Sequence, residues 1–136
     1  MSQRFTRTFG LLVLAQAAHS TEEYFGRLWE TFPPAAFLTS LVSRDREFGF
    51  LVINVGLVTF GLWCYLVPVR RGWRSATGIA AGWALIELIN GVGHPVWSLR
   101  QGGYTPGVAT APVLLVLAIA MLARLHDPVR GPAISA

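Results

Sequence analysis

Long apolar runs alternate with short polar clusters along the chain, and the lengths of the runs are the first thing it specifies. A helix needs about 20 mostly apolar residues to cross the roughly 30 Å hydrocarbon core of a bilayer. Phe48 to Pro68 and Pro106 to Ala123 carry no charge, and Trp73 to Trp97 has a single acid, Glu87, apart from Arg74 at its start. A fourth run, from Thr8 to about Trp29, opens with about ten apolar residues and then meets His19, Glu22, Glu23 and Arg27 in quick succession. Arg4, Arg7, this apolar core and Ala15, Ala17 and Ala18 would also suit a cleaved signal peptide. Tyr24, Phe25, Leu28 and Trp29 continue the apolar pattern past the polar residues, which favours one helix with a polar stripe turned inward. Pro33 and Pro34 then end it. Residues 35–44, AAFLTSLVSR, are too short to span and read as an interfacial or re-entrant piece. The predicted fold is all-α. It is a polytopic membrane bundle of four transmembrane helices over about 8–30, 48–68, 73–97 and 106–125, forming one domain over 1–136 with a short interfacial helix between the first and second spans.

Composition agrees with this pattern. Charged residues make up 13% of the chain, where a soluble domain carries roughly 25%, and hydrophobic residues make up 53% with a mean hydropathy of +0.50. The pI near 10.2 does not point to nucleic acid, because the 11 basic residues are all arginine and flank apolar runs without forming a stripe. Two arginines precede the first span, three lie between the first and second, three between the second and third, one between the third and fourth, and two follow. With both termini cytoplasmic the inner side holds seven and the outer side four, so the positive-inside rule gives an N-in, C-in orientation. One cysteine, Cys64, excludes a disulfide framework and reads as packing. Trp63, Trp73 and Trp97 near span ends read as belt residues and Trp83 as packing. Gly78 and Gly82 have the spacing of a helix-packing pair, His126 beside Asp127 reads as a solvated helix end, and Arg27 is placed to neutralise Glu23 or Glu30.

Ionisable groups inside spans are expensive and mark function. On the first helix His19 and Glu23 lie about 40° apart, with Glu22 about 60° to the other side, so all three share a face. On the third, Glu87, Asn90 and His94 share another, and the second contributes Asn54. Under the predicted orientation these groups converge on one half of the bilayer. Glu87 and His94 stand about 10 Å apart on an unbroken helix, too far to share one metal ion. Either the site is elongated or the helix breaks at Gly91-Val92-Gly93-His94-Pro95, where glycine and proline favour a break that would open a cavity. Gly102, Gly103 and Tyr104-Thr105-Pro106-Gly107 predict a tight turn, with Pro106 starting the last helix.

The string His19-Ser20-Thr21-Glu22-Glu23, followed by Asn90 and His94 and then by the Tyr104-Thr105-Pro106-Gly107 turn, resembles the HXXEE-motif family of small bacterial integral membrane proteins. The resemblance implies a bacterial inner-membrane protein and supports the choice of site, but it brings no established activity. The candidate metal ligands are His19, Glu23, Glu87 and His94, and the candidate catalytic groups are Glu22, Glu87, Asn90 and Asn54. Imidazoles and carboxylates without thiolates suit Zn, Fe or Mn, and an elongated set of three carboxylates and two imidazoles suits two ions better than one. Such a centre would hydrolyse or oxidise an apolar or lipid-like molecule reaching it from the bilayer, in a monomer or a homo-oligomer. Three alternatives use the same residues: a metal-free acid/base isomerase or cyclase of isoprenoid or sterol-like lipids, a proton or ion path, and ion pairs that only specify packing.

Overall fold

The computed structural model describes residues 2–125, and these form helices and turns with no strand. The elements are α1 (Gln3–Phe25), α2 (Leu28–Thr31), α3 (Pro33–Val42), α4 (Arg46–Cys64), a π-helical turn (Tyr65–Val69) that continues α4, α5 (Ala76–Gln101) and α6 (Ala111–Ala123). His126 and Asp127 lie outside the described residues.

Local chemistry sets the helix ends. Ser2 caps α1 by accepting a hydrogen bond from the Phe5 amide at 3.1 Å, and Asp45 caps α4 through the Phe48 amide at 3.2 Å. The first predicted helix does not run on to residue 30. It stops at Phe25 because Gly26 is pressed against Pro106, where a Cβ would stand 2.6 Å from the proline Cβ, and Arg27 turns the chain with φ of 54°. Arg27 then pairs with Glu30 at 2.6 Å and leaves Glu23 alone. Pro33 and Pro34 open α3 instead of closing the preceding helix, since proline suits a first turn. The interfacial piece is therefore a ten-residue helix, with Phe37 and Leu41 exposed.

The core lies where α1, α5 and α6 meet the end of α4, around Phe9, Leu12, Val13, Cys64, Trp83, Ala84, Ala118 and Met121. Cys64 and Trp83 are packing residues, as expected. Gly78 and Gly82 are not: among the described residues no other segment lies within 4 Å of a Cβ built on either. The close approach of α5 to α6 is made at Gly91, where an added Cβ would meet the Leu115 Cβ at 2.7 Å and its backbone nitrogen at 2.8 Å. That contact also answers the expected break at Gly91–Pro95. The helix continues through it to Gln101, because Pro95 removes only one backbone bond while Gly91 locks against Leu115. Gly91→Ala should cost about 2 kcal/mol, read as a lower unfolding midpoint in detergent, because neither backbone can retreat.

Among the described residues two helices are long and apolar enough to cross a membrane, Arg46–Val69 and Ala76–Gln101, with mean hydropathies of 2.1 and 1.2 in their most apolar stretches. The 23-residue α1, the first predicted span, is not one of them, and its apolar stretch is followed by His19, Glu22 and Glu23. The fourth is shorter than expected, since Pro106–Thr110 forms a turn and Pro112 sits in the first turn of a 13-residue α6.

Candidate metal centre

α1 and α5 each turn a buried polar stripe toward the other. Gln16, His19, Ser20 and Glu23 are buried on α1, and Glu87 and His94 on α5. At one level these stripes converge: the Glu23 Oε1 atom lies 3.3 Å from His19 Nε2 and 3.2 Å from His94 Nε2. The three ligand atoms all fall within 4.8 Å of one another, and the two imidazoles meet edge to face at 4.6 Å. Phe32 and Trp97 wall the His94 side, with ring centroids 6.5 and 6.3 Å from it, so Trp97 belongs to the site as well as to the helix end.

The outer nitrogen of each ring decides what the inner one can do. His94 Nδ1 lies 2.7 Å from the Pro106 carbonyl oxygen, which can only accept, so Nδ1 carries the proton and donates it. His19 Nδ1 lies 2.7 Å from Thr110 Oγ1, whose own hydrogen goes to the Glu22 carboxylate at 2.6 Å, so this nitrogen also donates. In neutral rings both Nε2 atoms are then bare and face the Glu23 oxygen with no hydrogen between them. His19 Nε2 is buried without a hydrogen-bond partner despite its 3.3 Å approach to Glu23. Converging lone pairs repel unless a cation sits among them. A ring whose far N–H is held by a carbonyl or hydroxyl is also the arrangement of metal-ligating histidines.

The turn before α6 closes the centre from above. Gly107 has φ of 91°, and a Cβ there would stand 2.5 Å from His94 Nδ1 and 2.8 Å from His19 Cε1. Glu22 fastens this turn from α1 by accepting from the Tyr104 hydroxyl at 2.8 Å, the Ala109 amide at 3.0 Å, the Thr110 amide at 2.8 Å and the Thr110 hydroxyl. Burial and the Glu22 charge push the Tyr104 phenol above its ordinary value, which keeps it a donor.

The predicted site residues therefore separate. His19, Glu23 and His94 come together. Glu22 turns away from them and acts on the turn. Glu87 stays two turns from His94 on the unbroken helix and is bonded to Asn90 at 3.3 Å and approached by Gln16, so it stands outside the three-residue group. Asn54 reaches α1 through Ser20 at 2.7 Å. An elongated two-ion set is not assembled among the described residues, because the unbroken α5 holds Glu87 below the imidazoles. Gln16, Ser20, Gly107 and Thr110 were missed. The helical phase of Gln16, one turn before His19 and Ser20, was a usable signal. Thr110, 91 residues from His19, left none.

Residues 10–122 match the family model described as a protein of unknown function with HXXEE motif. The chain belongs to the HXXEE family. No curated protein and no solved structure matches it. In this HXXEE protein the letters of the motif divide the labour: His19 and Glu23 face the centre, and Glu22 faces the turn that covers it.

Proposed function

We propose that this HXXEE protein is a membrane-embedded metalloenzyme. A single divalent ion is held by His19 Nε2, His94 Nε2 and the Glu23 carboxylate, and it acts by hydrolysis or oxidation on an apolar or lipid-like molecule. The observation that carries this reading is the convergence of the Glu23 carboxylate oxygen and the Nε2 atoms of His19 and His94, three metal-ligating atom types whose outer ring nitrogens are both held by oxygens. Tetrahedral ligands at about 2.0–2.1 Å from an ion lie about 3.3 Å apart, close to the 3.2 and 3.3 Å separations of the Glu23 oxygen from the two imidazole nitrogens, in a set that lies within 4.8 Å. Two imidazoles and one carboxylate leave a coordination position for a reacting molecule and suit Zn, Fe or Mn, and the lone thiol, Cys64, is committed to the apolar core.

The membrane setting is supported by the outward faces of α1, α4, α5 and the shorter α6. Leu14 on α1, Val55 and Phe60 on α4, Ile89 on α5 and Val116 on α6 are all more than half exposed. In this reading α1, α4, α5 and α6 form the bundle, both termini lie on the cytoplasmic side, and α3 rests at the surface. A groove of about 410 Å³ between α1 and α4, with Val55 and Val58 on its wall and Ser20 and Asn54 at its polar edge, opens outward and suits an aliphatic chain.

Elemental analysis of the protein purified in mild detergent tests the centre. About one Zn, Fe or Mn per chain is expected in the wild type, and loss of it in His19→Ala and His94→Ala. A folded, metal-free wild type that takes up none of these ions sinks the proposal and returns the three residues to acid/base chemistry.

A further inference from the structure

Below the three ligands a second polar chain runs from α5 through α1 to α4, and its direction can be worked out from one end. Asn54 Nδ2 lies 3.1 Å from the Phe50 carbonyl oxygen. That oxygen only accepts, so the Asn54 amide must present its NH₂ there and its Oδ1 to Ser20. Ser20 Oγ lies 2.7 Å from this Oδ1 and gives it the single hydroxyl hydrogen. With none left to give, Ser20 can only accept from Gln16, whose Nε2 lies 3.0 Å away. The Gln16 oxygen is thereby turned onto Glu87, 2.6 and 2.9 Å from its two carboxyl oxygens.

Two oxygens at 2.6 Å need a hydrogen between them. Turning the Gln16 amide over would supply N–H donors to an ionised Glu87, but it would set the Gln16 oxygen against Ser20 with no hydrogen for that contact unless Asn54 lost its own. A separation of 2.6 Å also suits an O–H donor better than an N–H donor. Glu87 is fully buried, and ionising it would set a second carboxylate near Glu23.

We propose that Glu87 is carried as the neutral acid, the proton-bearing group beneath the Glu23 centre, with its O–H donated to Gln16. Every partner in the sequence Glu87, Gln16, Ser20, Asn54, Phe50 carbonyl is then satisfied. Losing the proton reverses the chain: Gln16 turns its NH₂ onto Glu87, Ser20 turns its hydrogen onto Gln16, and Asn54 Oδ1 is released at the edge of the α1/α4 groove. The protonation of one buried acid is thereby read out where an apolar molecule would lie. The assignment does not depend on a bound metal.

Infrared difference spectra of wild type against Glu87→Gln at neutral pH test it. A protonated carboxyl C=O band is expected in the wild type, absent from the variant and shifted in D₂O. Carboxylate bands alone would overturn the assignment. Glutamine at 87 can donate to Gln16 and accept from Asn90, so the variant should melt close to the wild type. Should it fail to fold, Gln16→Leu serves instead: the carboxyl band stays but moves to higher frequency as its acceptor is lost, and a carboxylate there overturns the proposal. Chelator-treated wild type should show the same band, which separates this result from the fate of the metal reading.

Discussion

Gly107→Ala should lower stability by about 4 kcal/mol and abolish metal uptake, seen as a lower unfolding midpoint in detergent and as metal-free protein. Two costs combine. The backbone at φ of 91° is strained for any L residue, and the new methyl would enter the space of both imidazoles, 2.5 Å from His94 Nδ1 and 2.8 Å from His19 Cε1. Neither ring can step aside, because each is tied by its outer nitrogen, His94 to the Pro106 carbonyl and His19 to Thr110. Gly103→Ala is the control: among the described residues no other segment lies within 4 Å of its Cβ position, and its midpoint should stay near that of the wild type.

Thr110→Val should weaken metal binding about 10–100-fold without removing a ligand atom, as measured by competition with a chelator of known affinity. Valine keeps the shape but cannot accept from His19 Nδ1, so the ring is free to take the other tautomer and place a hydrogen on the ligating nitrogen. The turn itself should hold, because the Thr110 and Ala109 amides still donate to Glu22. Thr21→Val, which removes only an exposed bond to the Ala17 carbonyl, should leave affinity unchanged. Equal loss in both variants would mean that the Thr110 hydroxyl does not orient His19.

Much of the helical order was legible because hydrophobic length and helical phase are local properties. The α4 and α5 runs, the presence of a short helix between the first and second spans and the shared face of His19 and Glu23 follow from spacing alone, whereas the start of that short helix at Pro33 does not. The errors fall where a distant segment intervenes. Pro106 stops α1 at Gly26, Leu115 holds α5 straight through Pro95, and Gly107 meets rings from two helices. Gly78 and Gly82 err in the opposite sense, since a packing motif needs a partner helix and none lies against them among the described residues.

By itself the sequence determined that the chain is helical and where most of its helices run, though not all of their ends, along with the scarcity of charge and which side chains share a helix face, because these depend on residues within a turn or two. Only the tertiary structure decided that His19, Glu23 and His94 share one point while Glu22 and Glu87 do not. It also decided which ring nitrogen carries the proton. That choice belongs to Pro106 and Thr110 in the turn above, and no pattern within α1 or α5 encodes the oxygen that a folded turn brings to within 2.7 Å.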